Sequence, residues 1–184
     1  MRHERSLQNF IIVILTVAVL AMSIGFAAYE QNLNISGTAT FTSSKWDVHF
    51  DTSSFNEPGT IKATTKDVGN TSVSYTVTLA EPGDVYTFSI GIKNYGTIDA
   101  TLKKINMTGL TSNQQKYIAY TVNYDGTNYT QTTDNLNIGL AANETQTATV
   151  TVTVSYIKPE LASDLPSADQ TLNLTASFDY IDAN

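Results

Sequence analysis

The stretch Thr147-Ala148-Thr149-Val150-Thr151-Val152-Thr153-Val154 alternates hydroxylated and apolar residues without a break. In an extended strand this period of two puts Ala and Val on one face and Thr on the other. A helix would scatter the same residues around its surface, so the segment is confined to a strand with one dry and one wet face. Thr suits the wet face, because its branched Cβ fits a pleated surface while its hydroxyl stays hydrated. The same alternation returns in Ser72-Val73-Ser74-Tyr75-Thr76-Val77-Thr78-Leu79 and in Thr171-Leu172-Asn173-Leu174-Thr175-Ala176-Ser177-Phe178-Asp179-Tyr180.

Further strands are expected at 33–42, 45–51, 60–66, 85–94, 97–107 and 117–124. Turn chemistry separates them at Glu57-Pro58-Gly59, Gly69-Asn70, Glu81-Pro82-Gly83-Asp84 and Asn94-Tyr95-Gly96. Asp125-Gly126 predicts a type I′ hairpin, which needs positive φ at both central residues. Short helical turns fit at 111–116 or 159–164 without altering the class. About eight to ten short strands predict an all-β fold: an antiparallel two-sheet sandwich, jelly-roll-like or Greek-key.

An N-terminal hydrophobic helix precedes this β-rich part. Arg2 and Arg5 lead into the uncharged run 10–26, which ends in Gly25-Phe26-Ala27-Ala28. A basic segment, an apolar segment and a small-residue junction form an export signal in the required order. Cleavage after Ala27 would release a chain beginning Ala28-Tyr29-Glu30. The run of about 17 residues also sits at the short edge of a membrane span, so an uncut, outward-facing anchor is the alternative. The expected organisation is thus 1–27 as export signal or anchor and 28–184 as a single β-domain. Its location is extracellular, at the cell surface, or membrane-anchored and facing outward.

Removing 1–27, with Arg2, Arg5 and Glu4, reduces ten basic residues to eight and seventeen acidic residues to sixteen. The resulting charge of about −8 argues against nucleic acid and anionic lipid as partners, since phosphate binding needs clustered cations. No cysteine is present, which removes thiolate catalysis and Cys-ligated metals. His49 is the sole histidine after the signal, so a two-His zinc site cannot be built and a catalytic triad would have to run through it.

Trp46-Asp47-Val48-His49-Phe50 reads as a core-facing Trp46, Val48 and Phe50 with Asp47 and His49 outside. Asp84, Asp99, Asp125 and Asp134 stand near turns, where capping is expected rather than calcium, since no DxDxDG loop occurs. Asn-x-Ser/Thr triplets at Asn34, Asn70, Asn106, Asn128, Asn143 and Asn173 follow from a composition rich in Asn and Thr. Tyr75, Tyr86, Tyr95, Tyr117, Tyr120, Tyr124 and Tyr129 are expected in core and strand-pairing roles. No phosphate loop, nucleophile elbow or His-Glu zinc motif is present, so the chain reads as a non-enzyme with no cofactor and no metal. A surface hydrolase working through His49 is the least favoured alternative. In 28–40, Leu33 and Ile35 alternate with polar residues, so this segment can form a strand within its own domain or on a neighbouring molecule.

Two motifs carry a resemblance: the junction Gly25-Phe26-Ala27-Ala28-Tyr29, and Leu79-Ala80-Glu81-Pro82-Gly83-Asp84 followed by Phe88-Ser89-Ile90-Gly91-Ile92-Lys93-Asn94-Tyr95-Gly96. Together they resemble the TasA/camelysin family of Gram-positive bacterial surface proteins, exported through a dedicated SipW-type signal peptidase. The likeness covers roughly the first 100 residues. It implies cleavage between Ala27 and Ala28, a jelly-roll sandwich, and a cell-surface or biofilm-matrix fibre built head to tail. In such a fibre the mature N-terminus of one subunit completes the sheet of the next. By position the donor strand runs from Ala28 through Tyr29 to about Ile35, with Leu33 and Ile35 buried. The partners implied are other copies of the chain and, during export, the signal peptidase. The alternative is a membrane-tethered monomeric binding module of adhesin type. Camelysin has been classed as a metalloprotease, but the lone His49 gives no recognisable zinc site, so that activity is not carried over.

Overall fold

The computed structural model describes residues 2–27, 36–40, 43–166, 168 and 170–183. The chain divides into two compact units, Met1–Thr42 and Ser43–Asn184.

The first unit contains the helix α1 (Arg2–Ala27). Its apolar side chains from Leu7 to Met22 are exposed all round, with no polar stripe to set against water. Among the described residues, no helix is long and apolar enough to cross a membrane. Residues 36–40 carry no regular structure, so the expected strand 33–42 is not formed over its described part. The rest of that stretch, with Leu33 and Ile35, lies outside the described residues.

The second unit is β-rich and antiparallel. Its strands are β1 (Val48–Asn56), β2 (Thr65–Val68), β3 (Val73–Thr76), β4 (Val85–Asn94) and β5 (Ala100–Met107), then β6 (Ile118–Tyr124), β7 (Thr127–Tyr129), β8 (Ile138–Leu140), β9 (Thr147–Tyr156) and β10 (Ala176–Asp182). They form a five-stranded sheet β1-β4-β9-β6-β7, a three-stranded sheet β10-β5-β8 and the separate hairpin β2-β3. Short 3₁₀ turns occupy Gln114–Lys116 and Ala162–Asp164, inside the two stretches where helical turns were expected.

The alternation at 147–154 does what its period dictates: Ala148, Val150, Val152 and Val154 are buried. In register they meet Ile92, Ile90, Phe88 and Tyr86 of β4, and on the other side Val152 meets Val122 of β6. Ala100, Leu102, Ile105 and Met107 of β5 and Leu140 of β8 join the same hydrophobic cluster, so the two larger sheets share one core. β5 breaks the period of two, since both even and odd positions are buried. A bulge resolves this: Asp179 pairs with Lys104 but Tyr180 with Leu102, leaving Lys103 as the extra residue. The bulge resets which face points inward, and Lys103 and Lys104 turn out to Asn137 and Asp134 at 2.8 and 2.9 Å.

Several expected boundaries shift. The second half of 171–180 is strand, but 171–175 is not, and β2 begins five residues later than expected at Thr65. The short strands β7 and β8, three residues each, had no periodicity to reveal them. Trp46 precedes β1 and is 45 % exposed, so it is not part of the core-facing triplet with Val48 and Phe50.

Candidate functional site: an apolar groove beside an open sheet edge

β10 is held from one side. Its backbone pairs with β5 from Ala176↔Met107 to Asp182↔Ala100, and among the described residues no strand pairs with its other edge. Its period of two puts Ala176, Phe178 and Tyr180 on the inner face, where all three pack against the core. Phe178 meets Phe50 edge-on at 6.5 Å and Tyr124 at 5.9 Å between ring centroids. Tyr180 meets Tyr124 hydroxyl to hydroxyl at 2.8 Å, and burial pushes the Tyr180 hydroxyl pKa up.

β10 also lines a groove of about 360 Å³. Phe88, Ile90 and Val152 of the five-stranded sheet line it, with Phe178 of β10 on one side and Val73 and Tyr75 of β3 on another. The hairpin that forms this wall is anchored at named points. Phe50 donates its backbone N–H to the carbonyl of Asn70 at 2.7 Å. Val68, Val73 and Tyr75 pack on the core, Tyr75 at 5.2 Å from the rings of both Tyr86 and Phe88. Glu57 provides a third anchor: its carboxylate accepts from Tyr86 Oη at 2.9 Å, from the Ala63 backbone N–H at 3.1 Å and from Lys66 Nζ of β2. The Lys66 ammonium, aided by those two donors, lowers the Glu57 carboxyl pKa from 4.5 to about 2 despite its burial.

The quoted motifs serve as backbone fasteners. In Leu79–Asp84, Gly83 takes φ +111° and donates to the Tyr156 carbonyl at 2.6 Å. The Asp84 carboxylate accepts from the N–H groups of Ala80 and Glu81 at 2.7 and 3.0 Å, which closes the turn. Asn94 is fully buried and fully bonded. Its Nδ2 donates to Ile98 O and Leu140 O at 2.7 and 3.3 Å, and its Oδ1 accepts from Gly96 N–H at 3.0 Å. Around Gly96, Tyr95 and Thr97 donate to the carbonyls of Asp47 and Lys45 at 2.7 and 2.8 Å.

The other singled-out residues take structural places. Asp99 accepts from Ala142 N–H at 2.8 Å, Asp134 pairs with Lys104 at 2.9 Å, and Asp125 with Gly126 forms the positive-φ turn expected of that dipeptide. His49 stacks flat on Tyr95 at 4.1 Å with Asp47 at 3.6 Å. Among the described residues, no group of three or more His, Asp or Glu side chains is gathered in a way that could hold a metal. Ala27 ends α1, whereas Ala28, Tyr29, Leu33 and Ile35 lie outside the described residues. Neither the β10 edge nor the Glu57 anchor was singled out from sequence. The unpaired edge depends on strand order, which periodicity does not carry.

No protein-family model matches the chain, and no curated protein matches it.

Proposed function

We propose that this chain is an exported, non-enzymatic structural protein of the TasA/camelysin type. Its two larger sheets, sharing one core, are read as a jelly-roll sandwich with a strand position still open. The observation that carries the proposal is the apolar groove that β10 lines, together with the edge of β10 that no strand pairs among the described residues. An added strand there gains main-chain hydrogen bonds from the edge and side-chain pockets from the groove. The occupant is the 28–35 segment of a second copy, whose Leu33 and Ile35 lie two apart and so face the groove together. Head-to-tail addition of this kind does not close, so it builds a filament at the cell surface or in a biofilm matrix. A SipW-type signal peptidase cutting between Ala27 and Ala28 would free the donor end.

Deleting 28–35 from the released chain tests the reading. The expected result is a folded monomer that forms no filaments by negative-stain electron microscopy, while the native protein starts at Ala28 and does form them. Filaments from the deletion variant would overturn it.

One observation favours a second reading, an outward-facing membrane-tethered binding module. The described apolar side chains of α1, from Leu7 to Met22, are exposed, which suits burial in lipid, although among the described residues no helix is long and apolar enough to cross a membrane. Native protein that begins at Met1 and sediments with membranes would select it.

A further inference from the structure

The groove lined by β10 changes character from its buried residues to its exposed ones. Phe88, Ile90 and Val152, which the alternation of β4 and β9 turns inward, are at most 5 % exposed and wholly apolar. The lining residues that reach solvent are neutral and polar: Asn70 and Ser72 where β2 turns into β3, and Thr175 and Ser177 at the start of β10. Protein interiors are packed like organic crystals, with few voids larger than a water molecule. A space of about 360 Å³ walled by aromatic and branched side chains has instead the size and lining of a small-molecule site. Water held against Phe88, Ile90 and Val152 finds too few hydrogen-bond partners. Hydrocarbon in the same place takes their surface out of water.

The lining also selects by charge. The chain has 10 basic and 17 acidic residues, yet among the described residues that line the groove none is Lys, Arg, Asp or Glu. His49 lines it too, with its ring stacked on Tyr95 at 4.1 Å and Nδ1 3.0 Å from the Phe50 carbonyl oxygen. Burial raises the hydroxyl pKa of Tyr75, Tyr120 and Tyr180, so these stay neutral near neutral pH. A carboxylate or ammonium drawn into the groove loses hydration and meets no opposite charge. A hydroxyl end loses far less and meets the hydroxyl and amide groups at the mouth.

We propose that the groove is a binding site for an uncharged single-chain amphiphile. Its hydrocarbon lies along Phe88, Ile90 and Val152, and its hydroxyl end sits at the mouth between Ser72 and Thr175. The site belongs to one folded copy and stands or falls apart from strand addition.

The test titrates the full chain with N-phenyl-1-naphthylamine, an uncharged dye that fluoresces in apolar sites. The dye is then displaced by decan-1-ol, decanoate or decylammonium near neutral pH. Two variants fill the groove, Ala176→Phe from β10 and Val73→Phe from the opposite wall. α1 is the same in all three proteins, so dye bound there cancels in the difference. The expected result is saturable dye binding that both variants lose while keeping the wild-type circular dichroism spectrum. Decan-1-ol should displace the dye at about a tenth of the concentration that either ion requires. It should also raise the Tm of the wild-type chain by mass action. Dye binding retained in a folded variant, or a wild-type Tm that decan-1-ol leaves unchanged, overturns the site. Displacement by either ion as readily as by the alcohol overturns the uncharged class of its ligand.

Discussion

The hydroxyls of Tyr124 and Tyr180 meet at 2.8 Å, joining β6 of the five-stranded sheet to β10 of the three-stranded sheet. This bond fixes the inner face of β10, a strand whose other edge no strand pairs among the described residues. Removing one partner strands the other: Tyr180→Phe leaves the Tyr124 oxygen in a site that is 1 % exposed. The expected cost is about 1–3 kcal/mol in urea unfolding. The double variant Tyr124→Phe/Tyr180→Phe should cost less than the sum of the two single changes, because no hydroxyl is then left unpaired.

Gly96 is required by a close approach. A Cβ there would lie 2.3 Å from the Lys45 carbonyl oxygen and 2.9 Å from the Asp47 nitrogen, both backbone atoms. Gly96→Ala must therefore push 45–47 off the β4–β5 turn and break the Tyr95 and Thr97 bonds to it. The expected destabilisation is about 3 kcal/mol, at the upper end for overpacking, and is checked by thermal unfolding. Asn94→Ala should fall in the same range, since it abandons the buried carbonyls of Ile98 and Leu140.

The Glu57 anchor makes the hairpin sensitive to acid. Its carboxyl pKa is lowered from 4.5 to about 2, chiefly by Lys66, so the folded state favours the ionised form. A depressed acid contributes stability that is complete above the unfolded pKa and is lost as pH falls through the folded value. The window here runs from about pH 4.5 down to about 2. Glu57→Gln should lower stability by about 1–2 kcal/mol at pH 7, through the lost charge-assisted bonds. That difference should shrink steadily through the window and be nearly gone at its acid end, measured as urea midpoints of both proteins across pH.

Strict alternation made β9 legible, because an apolar residue stands at every second position from Ala148 to Val154, but the same pattern failed at 77–79 and 171–175, which are not strand. The Asp125-Gly126 hairpin was equally legible, since its backbone geometry admits few residue types. β8 was not, as three residues are too few to show a period. Trp46 misled because size and apolarity suggest a core position, while the backbone leaves the strand before reaching it. The roles of Asn94 and Asp84 were half legible: their turns could be read, but burial and backbone capping arise from segments distant in sequence. The groove was illegible, since its lining comes from strands and loops far apart in sequence, brought together by strand order.

The absence of cysteine makes one cross-linking measurement decisive for the central claim. Asn34→Cys and Ser177→Cys, combined in one chain, place thiols on the polar face of the donor segment and on the exposed outer face of β10. A short bismaleimide is added to the assembled protein, and the products are separated on a denaturing gel. Strand addition between copies predicts a ladder of dimers, trimers and higher multimers that is lost when either cysteine is omitted. An internally linked monomer, or no linkage between the two positions, would contradict it and place 28–35 within its own domain or away from β10.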